Sequence, residues 1–101
     1  MKDKKEKFPD FAFKNAEGIK YRVVWKTPAK SINASGLCDS PNNKDPEIWI
    51  DPKLEENRLL QVIIEEFFHA HAYEETEKVA RKLAQNLAKI IRKSGWKNKR
   101  F

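Results

Sequence analysis

A chain of 101 residues with 40% apolar and 36% charged side chains is long enough for one domain around one modest core and too apolar for a disordered polyelectrolyte. Its apolar runs are only a few residues long, which excludes a membrane-spanning helix. Its one cysteine, Cys38, excludes an internal disulfide and a cysteine-rich zinc site, and its formal charge of +6 attracts polyanions.

Much of that charge sits at the ends, on Lys2, Lys4, Lys5 and Lys7 and on Arg92, Lys93, Lys97, Lys99 and Arg100. The aromatics are not interleaved there as stacking platforms for bases would be. The ends therefore read as solubilising, with nucleic-acid binding expected to be weak and non-specific. Residues 1–7 are charged and lack the apolar core of a signal peptide. They read as a loose tail ahead of a single domain over residues 8–101. The expected compartment is the cytoplasm, of a cell or of an infected host, with no membrane partner. The sequence carries no signal for oligomeric state.

Residues 8–14 and 19–26 read as two strands joined by the turn Asn15-Ala16-Glu17-Gly18. Gly18 can supply the positive φ that such a turn needs. Tyr21, Val23 and Trp25 alternate with a more polar face. Residues 31–39, with Gly36-Leu37-Cys38, form a looser segment able to hold a short strand. Residues 40–46 (Ser-Pro-Asn-Asn-Lys-Asp-Pro) are a turn region. Residues 47–50 give another strand, with Ile48 and Ile50 on one face and Trp49 on the other.

Helical periodicity then runs from about residue 55 to 73 and again from 76 to 94. In the second helix Val79, Ala80, Leu83, Ala84, Leu87, Ile90 and Ile91 follow one apolar stripe. Thr76 is the expected N-cap, and Gly95 ends the helix with Trp96 folding back on its last turn. The stripe predicts that Leu83 and Leu87 pack on the first helix. The fold class is α+β: a small antiparallel sheet of three or four short strands followed by two packed helices.

The first helix carries Ile63-Ile64-Glu65-Glu66-Phe67-Phe68-His69-Ala70-His71. Positions four apart differ by about 40°, so Gln61, Glu65 and His69 form one stripe with Glu66 beside it. Apolar residues occupy most of the remaining circumference, including Phe67 and Phe68, which read as core. That predicts a central helix covered by both the sheet and the second helix. The bland reading makes Glu55, Arg58, Gln61, Glu65 and His69 its wet face. A single Glu66-x-x-His69 also occurs in carboxylate-bridged di-iron bundles, but those need two such motifs and four core helices.

Taken in order, Gly36-Leu37-Cys38-Asp39, Glu47-Ile48-Trp49-Ile50, the Glu65-Glu66-x-x-His69-Ala70 helix, Glu75-Thr76-Glu77-Lys78-Val79 and Ser94-Gly95-Trp96-Lys97 resemble a minimal zincin-like metallopeptidase domain of the kind common in phage and bacterial genomes. The resemblance covers roughly the last two thirds of the chain. In that family HExxH places two imidazoles one turn apart on zinc, with the glutamate between them acting on bound water. The resemblance implies that Glu66 is the general base and His69 the second histidine ligand. Glu65 stands where the first histidine belongs. It further implies an acidic third ligand near the start of the second helix, Glu77 first and Glu74 second. His71 points about 160° from His69 on a regular helix and cannot replace the lost ligand.

A Glu65/His69/Glu77 set suits zinc but also manganese or iron(II), and a domain without metal is compatible with the same residues. Its extra negative charge weakens the ion as a Lewis acid and blunts hydrolysis. The first reading is therefore a zincin-like domain with weak or absent peptidase activity, serving a peptide or protein partner. An active metal-dependent hydrolase with an unusual EExxH site is the second. A small basic nucleic-acid-binding or interaction protein is the third.

Overall fold

The computed structural model describes residues 8–29 and 34–98. The tail over residues 1–7, with its four lysines, and Lys99 and Arg100 lie outside the described residues. Strands β1 (Phe11–Lys14) and β2 (Lys20–Trp25) form the expected hairpin, paired antiparallel from Phe11↔Val23 to Lys14↔Lys20. Gly18 takes φ 83° in its turn. The buried Asn15 side-chain oxygen accepts from the Glu17 and Ile19 N–H groups, each at 2.9 Å. This closes the turn with local side-chain bonds.

Strand β3 (Gly36–Cys38) and strand β4 (Glu47–Ile50) complete a four-stranded sheet in the order β1-β2-β4-β3. The sheet is mixed, not antiparallel throughout as expected. β2 and β4 run parallel, with Val23 opposite Ile48 and Trp25 opposite Ile50. β3 is an antiparallel edge strand on the far side of β4. The connection over residues 26–46 is long enough for a parallel return, which a tight turn is not.

Tyr21, Val23, Ile48 and Ile50 bury one face of this sheet. Arg22 and Glu47 pair at 3.1 Å between adjacent strands, away from that core. Helix α1 (Glu56–His71) lies on the apolar face through Leu59, Val62 and Ala70. Helix α2 (Glu77–Lys93) covers another side of α1. The central position expected for α1 is thus observed.

The packing of α2 corrects the sequence expectation. Ala80, Ala84 and Ala88 form its buried seam, against Ile64 with Leu60 and Ile91 at the edge. Leu83 and Leu87 are 38% and 40% exposed and lie beside the seam, not in it. Small side chains let two helices approach closely, so the alanine edge of the stripe wins the contact. Phe67, read as core, is 49% exposed and rests on Phe13 and His71. Trp96, expected to fold back, is 74% exposed, and its N–H donates to the Ile91 carbonyl. Thr76 caps α2 as expected, accepting from the Val79 N–H at 3.2 Å, and Gly95 leaves the helix at φ 95°.

Enlarging the seam is accordingly the damaging change. Ala84→Leu should cost roughly 1–3 kcal/mol by overpacking, while Leu87→Ala should cost about 1 kcal/mol or less. Urea denaturation of both variants checks the order, and the reverse order would put Leu87 in the core.

Candidate metal centre

Three polar residues of α1 are buried where a solvated face would leave them wet. Glu65, Glu66 and His69 keep only 6%, 7% and 7% of their surface exposed. Glu55 and Arg58, assigned to the same face by the bland reading, are exposed, and Gln61 is half-buried. The difference lies along the helix. Near the N-terminal turn of α1 this face meets solvent, and farther along it sits between the sheet and α2. An interior position for ionisable groups is costly unless they are paired or hydrogen-bonded.

The start of α2 brings a third carboxylate to this pair. Glu77 follows the Thr76 cap directly, and its Oε2 lies 3.4 Å from His69 Nε2. That nitrogen is buried, and the approach of Glu77 is not aligned as a hydrogen bond, so Nε2 has no hydrogen-bond partner. One donor atom from each of Glu65, His69 and Glu77 lies within 4.8 Å of the other two. Burial raises the pKa of Glu65 above the ordinary carboxylate range, and a hydrogen bond to Glu77 together with the Glu77 charge adds to it. Arg81 and Arg58 oppose that shift. Arg81 also reaches Glu77, at 3.9 Å.

Glu66 lies on the neighbouring side of α1, against β3. A Cβ on Gly36 would stand 2.9 Å from Glu66 Oε2 and 2.8 Å from Val62 Cγ1. Only glycine lets the edge strand pass this close to the carboxylate. Burial, then the charges of Glu65 and Glu77, push the Glu66 carboxyl from 4.5 up to about 8. Beyond it burial pushes the Cys38 thiol up to about 12, and the Tyr21 hydroxyl is raised as well, again chiefly by burial. The Tyr21 hydroxyl donates to the Asp39 carbonyl at 3.1 Å.

The structure therefore brings Glu65, His69 and Glu77 together, with Glu66 adjacent. Glu74, the second choice for a third ligand, is exposed and stands outside the cluster. His71 is exposed, donates to the Phe67 carbonyl at 3.0 Å and stacks on Phe13. Two supporting roles escaped the sequence reading, which named both residues for other reasons. One is that of Gly36, whose close approach depends on tertiary packing. The other is that of Asn15, whose Nδ2 donates to the Ala70 carbonyl at 2.9 Å and ties the hairpin turn to the residue after His69. An apolar cavity of about 490 Å³ opens between Phe8, Phe13, Trp25, Ile63 and Phe67, and none of the acidic cluster lines it.

No family model, curated protein or solved structure matches this chain. The chemistry is accordingly argued from the cluster itself.

The Glu66 shift sets a pH dependence for the metal-free protein. Its folded value of about 8 lies above the ordinary 4.5. Between those values the folded chain holds a proton that the unfolded chain has released. Stability should therefore be fullest below the lower value and fall as pH rises, by up to about 1.4 kcal/mol per pH unit for this one group. Glu66→Gln should remove that part of the slope, leaving the contribution of Glu65. Urea midpoints across this window, in chelator, are the measurement. Stability that stays flat or rises in the parent would place the Glu66 carboxyl in water.

Proposed function

We propose that this chain is a zincin-like domain in which Glu65, His69 and Glu77 hold a divalent metal ion and Glu66 occupies the general-base position. The observation that carries the reading is the convergence of three donor atoms within 4.8 Å around a buried His69 Nε2 that has no hydrogen-bond partner. A neutral imidazole nitrogen left free in a buried site is a ready metal ligand. A divalent cation would neutralise the carboxylates of Glu65 and Glu77 at once. The donor set fits zinc, and equally manganese or iron(II).

When bound, the ion supplies Lewis-acid polarisation of a carbonyl or of water. Two carboxylates place more negative charge on it than a pair of histidines does, and this weakens that polarisation. The preferred reading is therefore a metal-binding domain with weak or absent peptidase activity that engages a peptide or protein. An active hydrolase is the second reading, favoured by Glu66. A buried carboxyl titrating at about 8, next to the cluster, can accept and return a proton near neutral pH.

Zinc and manganese calorimetry on the parent, His69→Ala and Glu65→His is the test. The parent should bind, His69→Ala should weaken binding at least about tenfold, and Glu65→His should bind zinc at least about tenfold tighter. A folded parent that binds neither ion, or a Glu65→His variant no better than the parent, would overturn the site. A peptidase assay on unfolded casein with each metal divides the two readings. Turnover lost in Glu66→Gln selects the hydrolase, and no turnover selects the binding domain.

A further inference from the structure

Helix α2 is apolar over a wider arc than α1 covers. Beside the alanine seam stand Val79, Leu83, Leu87 and Ile90, exposed by 44%, 38%, 40% and 59%. At i, i+4, i+8 and i+11 they fall within an arc of about 80° and extend about 16 Å along the helix. One half-exposed leucine is ordinary, but four contiguous aliphatic side chains on one helix face make a patch. The packing of α1 and α2 does not use them, since the alanines supply that contact.

The charges around the stripe are one-sided. Lys78, Lys82, Lys89 and Lys93 are all exposed and follow the edge of the stripe turned away from the seam, within about 100° of Val79. Arg81 and Arg92 lie farther round. The only acidic residue of α2 is Glu77, which sits toward the seam and faces His69 and Arg81. Among the described residues no carboxylate pairs with the four lysines. The stripe thus has α1 along one edge and an uncompensated row of lysines along the other.

We propose that this face binds an amphipathic helix of another protein, whose apolar side covers Val79, Leu83, Leu87 and Ile90 and whose flanking Asp and Glu residues meet the lysine row. The match is one of length and charge. Three turns of a partner helix span the stripe, and acidic residues on a single flank complete the electrostatics. A second copy of this chain fits poorly, because each brings a net charge of +6 and the same lysine row. Nucleic acid would satisfy the lysines and leave the aliphatic stripe uncovered. An anionic bilayer surrounds a helix lying in it with headgroups on both edges, whereas α1 closes one edge here.

The probe is a synthetic three-heptad peptide with leucines on one face and glutamates along one flank, beside the same peptide with lysines along that flank. Both are titrated against the full chain by fluorescence anisotropy. The glutamate peptide should bind with Kd on the order of 10 μM, and the lysine peptide at least about tenfold more weakly. The double variants Leu83→Gln/Leu87→Gln and Lys82→Glu/Lys89→Glu should each lose at least about tenfold for the glutamate peptide, and the second should gain for the lysine peptide. These positions are exposed, so circular dichroism should show both variants folded, and their zinc binding should match the parent. Failure of the glutamate peptide to bind, or equal binding of the two, overturns the proposal. So does sedimentation showing a parent dimer that Leu83→Gln/Leu87→Gln dissolves, which assigns the stripe to a second copy. Flotation with phosphatidylglycerol vesicles that the same variant abolishes assigns it to lipid and also overturns the proposal.

Discussion

The approach of α2 to α1 is the constraint on which the acidic cluster depends. Ala80, Ala84 and Ala88 sit one turn apart at the seam and are almost wholly buried. With side chains this short the two axes can approach to about 8 Å, the lower end of the usual range. The Thr76 cap fixes where α2 begins, one residue before Glu77. Glu77 is therefore delivered to His69 by helix geometry and not by a flexible loop. Leucines at the seam would hold the helices farther apart, and the 3.4 Å separation of Glu77 Oε2 from His69 Nε2 would open.

That close approach creates an electrostatic difficulty that the chain answers only in part. Glu65 and Glu66 are neighbours on a buried stretch of helix, and Glu77 adds a third carboxyl. The available cations, Arg58 and Arg81, act on Glu65, and Arg81 is shared with Glu77. Burial first, and then the charges of the neighbouring carboxyls, favour the protonated form and raise the pKa of both buried carboxyls. The proton on such a buried carboxyl is either idle or ready to be displaced by a cation. The free His69 nitrogen beside it favours the second account, because an idle cluster would gain by hydrogen-bonding that atom.

The legible parts of this fold are those written in local pattern. The Asn15–Gly18 turn, the alternation of Tyr21 and Val23, the Ile48/Ile50 face, the Thr76 cap and the Gly95 exit each depend on neighbours a few residues away. The parallel pairing of β2 with β4 is not local, since alternation tells which face a strand buries and not which strand it joins. Periodicity placed Leu83 and Ala84 on one apolar half of α2 but did not tell which edge would meet α1. That choice depends on the shape of the facing surface around Ile64. The burial of Glu65 was equally hidden, because a carboxylate goes inside only with compensating groups, and those come from α2. Glu77 stands in the cluster and Glu74 does not, because a residue just inside a capped first turn is held in a defined direction by the helix.

Helix α2 carries three distinct surfaces, and their arrangement bears on whether they act independently. The alanine seam holds the helix, Glu77 at its N-terminus reaches the cluster, and the aliphatic stripe with its lysine row faces outward. The stripe shares no side chain with the seam or with the cluster, and Leu87 and Ile90 lie well over a turn beyond Glu77. Sites with no shared partners contribute additively to free energy to within a few tenths of a kcal/mol. A helix docked on the stripe would add contacts without drawing on those that place Glu77, and an ion at Glu65, His69 and Glu77 would leave the lysine row uncompensated. The two surfaces are joined only through the rigid body of α2, and a partner that left the alanine seam intact would leave the cluster intact with it.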